Sequence, residues 1–322
     1  MRKHTMWKHK GFAAGLFAVL VGFGTMAEAG MLGVFQSDAN GFDTRTYYYD
    51  DGKEVTVFDT QFVPPLTTAM VDKIRAETAS PITRVVVTHP NPDKFNGLSV
   101  LHALGAVSIG SKATADALPI VHDYKKAFWV GTMGAFTEAT YPKYEPIQKT
   151  FSGTMTIPLA SGETITLFEL KHAGVATTQT VARIDRTGDL IVGDLVHHQA
   201  HAWLEGGLVG GRPSPDLPSW IAALDELKLL EGTVVHGGRG ADAPVAEAVK
   251  HQQEYLRAVD RLVGDYIVEL GPDKEDLRNP VKAKIHYAEL QKRAAAAFPT
   301  YAAPYMIGFS VYGLAQAKLK QR

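Results

Sequence analysis

The stretch that most constrains this chain is residues 85–97, Val-Val-Val-Thr-His-Pro-Asn-Pro-Asp-Lys-Phe-Asn-Gly. Its β-branched run reads as a buried strand that stops at Thr88-His89. Two prolines then stiffen a loop carrying Asn91, Asp93 and Lys94, and Gly97 precedes an apolar helical pattern. A strand end holds such a loop on a rigid support, which suits chemistry or ligand binding. The arrangement recurs: Asp59, His172, Asp194 and Arg239 each sit at the end of an expected strand. A fold compatible with this pattern brings many strand ends to one rim.

Periodicity supplies the elements around that rim. Alternating β-formers predict strands over residues 42–49, 54–59, 83–88, 107–109, 164–170, 177–184, 190–192 and 232–236. Helical patterns cover 67–79, 98–104, 111–118 and 217–230, and amphipathic helices over 244–263, 280–298 and 305–320 close the chain. Residues 119–150 are rich in aromatics, Pro and Lys and read as an insertion able to roof a pocket. No short repeat or low-complexity tract interrupts the order. The expected organisation is an α/β domain over residues 30–242 and a helical extension over 243–322 packed on it.

Composition narrows the function classes. The chain has 322 residues, 45% of them hydrophobic, and a formal net charge of −1, without a basic stripe that would suit nucleic acid. With no cysteine it has no disulfide, thiolate metal site or thiol nucleophile. Residues 1–29 read as a cleaved signal peptide: Arg2, Lys3, Lys8 and Lys10 precede an apolar run over 11–23, and Ala27-Glu28-Ala29 is a cleavage signal. The apolar run is short for a membrane anchor, the alternative reading. Cleavage leaves 29 basic against 33 acidic residues, a mildly acidic chain expected in the periplasm or medium without stable membrane insertion. Oligomeric state is not legible.

The order of motifs resembles the metallo-β-lactamase superfamily. That family carries a His-x-His-x-Asp-His loop, a lone His in a turn, a strand-terminal Gly-Asp and a final Gly-His-Gly turn. Here the corresponding stretches read His89-Pro-Asn91-Pro-Asp93-Lys94, Lys171-His172-Ala173-Gly174, Gly193-Asp194 and Gly238-Arg239-Gly240, and Asp59-Thr60 matches the family's Asp-Thr strand end. The resemblance spans most of residues 41–240. It implies a four-layer αββα sandwich with extra C-terminal helices and a hydrolytic site at one rim.

Carried over residue by residue, the resemblance places a first metal on His89, Asn91 and His172. A second falls on Asp93, Lys94 and Arg239, with Asp194 bridging. Three of the family's histidines are thus replaced, by Asn91, Lys94 and Arg239. An amide oxygen is a weak zinc ligand beside imidazole. Protonated Lys and Arg do not ligate, and each adds a charge. Two carboxylates and two cations can balance without metal, and a dication beside them would cost roughly 3–4 kcal/mol per cation at an effective dielectric of about 20. The expectation is no dinuclear zinc and at most one zinc, on His89, His172 and Asp194.

Two functions follow as expectations. One is an exported hydrolase-like protein acting on a small ester, lactone, amide or anionic substrate. Asp93, Asp194, Lys94 and Arg239 would be catalytic, and Asn91, His198 and His201 would contact substrate. The other is a non-catalytic small-molecule binding protein using the same pocket, with Lys94 and Arg239 clamping an anion. Each residue also has a plainer reading. His89 and His172 can be hydrogen-bonded rim histidines, Asp93 and Asp194 salt-bridged, Asn91 a loop-stabilising residue, and His197, His198 and His201 an exposed loop. Helical spacing would put His197 and His201 on one face, a metal-compatible arrangement.

Overall fold

The computed structural model describes residues 30–320; the expected signal peptide lies outside the described residues. Two six-stranded sheets face each other, with helices on both outer surfaces. The first sheet runs in chain order: β1 (Met31–Gln36), β2 (Arg45–Asp50), β3 (Val55–Phe58), β4 (Ile82–Val86), β5 (Val107–Ser111) and β6 (Lys149–Phe151). It starts antiparallel and becomes parallel from β3 onward. α1 (Pro64–Glu77), the short α2 (Pro92–Phe95) and α3 (Leu98–Ala103), and α4 (Lys112–Lys126) make its parallel crossovers.

The second sheet contains β7 (Thr154–Pro158), β8 (Thr164–Glu169), β9 (Thr180–Ile184), β10 (Asp189–His198), β13 (Val234–Gly240) and β14 (Ala243–Pro244). All its pairs are antiparallel except β10 with β13, which α5 (Leu217–Leu227) connects. A separate hairpin, β11 (Gly207–Val209) and β12 (Arg212–Ser214), lies between β10 and α5 in sequence. α6 (Val245–Leu270), α7 (Ala283–Ala297) and α8 (Tyr305–Lys320) follow. No described helix is long and apolar enough to cross a membrane.

The period-2 pattern sorts side chains among three cores. Tyr47, Tyr49, Phe58 and Val86 of the first sheet meet Ile165, Leu167, Ile184 and Ile191 of the second between the sheets. Tyr48, Val57 and Val85 point the other way and pack under α1, α3 and α4 with Met70, Leu98 and Leu118. Val181, Leu190 and Val192 face α5–α8 in the largest core, with Leu224, Leu256 and Val311. Burying each such aliphatic side chain contributes about 1.5–3 kcal/mol, which fixes strand register.

Three element boundaries differ from those expected. α1 begins at Pro64 because both prolines occupy the first helical positions, where no N–H is needed. Ser111 caps α4 by accepting from the Thr114 N–H, but the helix continues through Pro119 to Lys126 and takes in part of the insertion. β10 does not stop at Val192; it continues through Asp194 to His198, held by parallel pairing with β13. The parallel pairs β3–β4 and β10–β13 bring their C-terminal ends, and so Asp59, His89, Asp194 and Arg239, toward one rim.

Candidate functional site

β4 delivers Thr88 and His89 to the rim. Asp59, just beyond β3, adopts φ +69° and accepts the Thr88 N–H and hydroxyl, both at 2.8 Å. The Thr88 hydroxyl has one proton and gives it to Asp59, so Thr88 Oγ1 receives the Nδ1–H of His89, 2.9 Å away. The other ring nitrogen, Nε2, stands 3.7 Å from Asp194 Oδ2. Burial pushes the Asp59 carboxyl up to about 6, against the opposing pull of Lys94 and His89.

Asn91 precedes α2, whose Pro92 takes a first-turn position; Asp93 and Lys94 follow on that single turn. The Lys94 ammonium is fully buried and stands 2.9 Å from Asp93 Oδ2 and 2.8 Å from Asp194 Oδ1. Arg239 closes the ring from β13, meeting Asp194 Oδ2 at 2.6 Å and Asp93 Oδ2 at 3.0 Å. It also donates Nε–H to the Phe42 carbonyl at 2.8 Å and a second Nη2 bond to Thr44 Oγ1 at 3.0 Å. Two glycines permit this approach. A Cβ at Gly238 would overlap the Asp194 carboxylate, and Gly193 takes φ +52° where a Cβ would overlap Thr88.

The charges hold one another in place. Burial alone would raise the carboxyl pKa values; Lys94 and Arg239 outweigh it and lower Asp93, while Arg239 and Lys94 hold Asp194 well below the usual range. Burial would lower Lys94 and Arg239, but the same carboxylates raise both. All four side chains are therefore charged at neutral pH and sum to zero.

His197 is the site residue that sequence reasoning underweighted. It lies fully buried with Nε2 3.9 Å from Asp194 Oδ1, and neither ring nitrogen has a hydrogen-bond partner. Burial lowers its pKa to about 3, with Asp194 opposing and Arg239 and Lys94 assisting, so the ring is neutral. A ladder shift between Gly193 and His197 turns both Asp194 and His197 toward the cluster.

Three expected site residues are placed elsewhere. His172 is half exposed and bonds Glu226 of α5 at 2.5 Å through Nδ1, sharing no partner with the cluster. The β8–β9 turn is fastened there because Glu226 also accepts the Lys171 and His172 backbone N–H groups. His198 faces Glu247 and His251 of α6. His201 bonds the Tyr255 hydroxyl at 3.1 Å and packs against Phe298 and Tyr301. Neither lines the rim pocket, which corrects the substrate-contact expectation for both. His197 lies in a strand and His201 beyond it, so the two do not share a helical face.

A narrow pocket of about 30 Å³ opens beside the cluster. Asn91, Asp93, Asp194, Arg239 and Lys125 give its polar side, and Phe42, Phe62, Trp129, Trp203 and Met306 its apolar walls. Phe42 contacts Phe62, Trp129 and Trp203 with centroids 5.0–6.0 Å apart. Its backbone is left-handed at φ +63°, a strained conformation retained where ring and carbonyl are both used. Lys125 is itself neutralised by buried Glu205 and lies 4.8 Å from the Trp203 ring centroid.

The donor set does not match the metal implied by the fold resemblance. The Lys94 ammonium stands between the carboxylates that a second metal would share, and Arg239 takes the other Asp194 oxygen and shares Asp93 Oδ2 with Lys94. For a first metal, His172 is directed to α5. Among the described residues, His89, Asp194 and His197 do not converge as a ligand triad within 4.8 Å; His198, Glu247 and His251 do.

No protein-family model matches the sequence. The fold does have solved counterparts. A metallo-β-lactamase from Pontibacter korlensis aligns at a TM-score of 0.51 with 16% identity, covering 72% of this chain and 96% of that one. The DIM-1 metallo-β-lactamase exposed to ceftazidime aligns at 0.52 with 20% identity, covering 72% and 94%. The chain thus has the metallo-β-lactamase fold, an αββα sandwich, with additional C-terminal helices.

Proposed function

We propose that this chain binds a small uncharged molecule at the rim pocket without a metal there. The observation that carries this reading is the closed ring of Asp93, Lys94, Asp194 and Arg239, which spends its charges internally. Arg239 commits four of its five N–H bonds, so it has little left for the anion clamp expected from sequence. An entering anion would also face two carboxylates. A neutral ester, lactone or amide avoids that repulsion: its apolar part suits the aromatic walls, and its carbonyl suits Asn91 and the remaining Arg239 N–H.

Metal-free hydrolysis of the same ligand is the second reading, favoured by Asp194 lying between the imidazoles of His89 and His197. Against it, both rings are buried away from the pocket lining, and His197 is too weak a base for efficient proton abstraction at neutral pH. We place the protein in the periplasm or medium, a reading supported by the pattern of residues 1–29.

Calorimetry with small lactones, esters and amides, each paired with its free carboxylate, tests the reading. The expected result is preferential binding of the neutral member and background hydrolysis. Preference for the carboxylate would overturn the charge argument. Turnover that disappears in Asp194→Asn would establish the hydrolase instead.

A further inference from the structure

His198 ends β10 one residue after His197 but faces α6. Its imidazole is only 3% exposed; Nδ1 has no hydrogen-bond partner, and Nε2 is 3.6 Å from Glu247 Oε1, beyond a good hydrogen bond. His251 follows Glu247 by one helical turn, placing both on the same face of α6. Its Nδ1 is 4.0 Å from that same oxygen. The two imidazole rings lie 5.1 Å apart and 5° from parallel. One ligand atom from each residue lies within 4.8 Å of the others.

We propose that His198, Glu247 and His251 form a binding site for one divalent transition-metal ion of the zinc class, separate from the rim pocket. Two imidazoles and a carboxylate suit zinc, nickel or copper better than calcium or magnesium, which require mostly oxygen ligands. With bonds of about 2.0–2.2 Å, tetrahedral donors stand roughly 3.3–3.6 Å apart. The present arrangement therefore needs a contraction that the partly exposed Glu247 and His251 can supply around the buried His198. Burial and the neighbouring His251 lower the His198 pKa, keeping a lone pair available at neutral pH. Water completes the coordination. The ion would fasten the end of the strand carrying Asp194 and His197 to the C-terminal helices.

The test is zinc titration of the full chain by calorimetry after chelator treatment and desalting, with melting measured in parallel. One zinc per chain is expected, with binding weakened at least about tenfold by His251→Ala and by Glu247→Gln and unchanged by His172→Ala. Zinc should raise the wild-type melting temperature and leave that of His251→Ala unmoved. Magnesium and calcium should do neither. Absence of zinc uptake by wild type, or equal uptake by His251→Ala, would overturn the proposal; His251 is partly exposed, so its truncation spares the core.

Discussion

Replacing Lys94 with methionine removes the central cation while preserving most of its side-chain volume. Its ammonium stands 2.9 and 2.8 Å from two buried carboxylates. At those distances each attraction is about 6 kcal/mol for an effective dielectric near 20, before desolvation and repulsion by Arg239 are subtracted. Breaking a buried ion pair from one side has a net cost of about 3–5 kcal/mol. A loss near 3 kcal/mol corresponds to roughly 6–12 °C in melting temperature, using domain-scale values. The pH dependence supplies a sharper sign. In wild type, depressed Asp93 and Asp194 pKa values contribute stability above their unfolded values, and that stability is lost as acid titrates the folded groups. In Lys94→Met, Arg239 neutralises one carboxylate and the other has a raised pKa, so stability should fall as pH rises from about 4 through that value. Urea unfolding at several pH values reads both effects. A variant with wild-type stability and a wild-type pH profile would refute the charge-balance reasoning.

Other substitutions probe the surrounding assignments. His172→Ala should cost no more than about 1 kcal/mol and leave rim-ligand affinity unchanged, because its partner is the partly exposed Glu226; a large affinity loss would return His172 to the site. Burial would lower the His236 pKa, but Asp242 and Asp189 raise it, so its stabilisation is full below about pH 6.5 and lost as pH rises through the folded value. His236→Asn should therefore lower stability most near pH 6 and approach wild type at higher pH, as read by thermal melts; an unchanged slope would count against that assignment. Lys94→His combined with Arg239→His exchanges two cations for two imidazoles beside Asp93 and Asp194. In a His251→Ala background it should gain zinc uptake; none would show that the loop geometry disfavours metal even without the cations.

The fold was legible because its large features are local. The β-branched run before His89, the repeated polar strand ends and the long closing helices survive as elements. The charged composition of the site was legible too, since Lys94 and Arg239 stand where the resembled family has histidines, and like charges require nearby compensation. What local reading missed depends on long-range partners. His172 follows Glu226, distant in sequence, rather than the rim. The strand continues past Val192 because β13 pairs beside it, and its ladder shift directs His197 inward while His198 meets α6. Three histidines within five positions thus occupy three environments, a distinction their spacing does not contain.

A lysine-centred ion-pair ring stands where the resembled fold would hold a rim metal. The decisive measurement is elemental analysis of the His251→Ala protein, purified without chelator and then offered zinc, because that background removes the separately proposed site on α6. Well under one zinc per chain is expected before and after loading. A stoichiometric zinc that is lost on Asp194→Asn would instead place a metal at the rim.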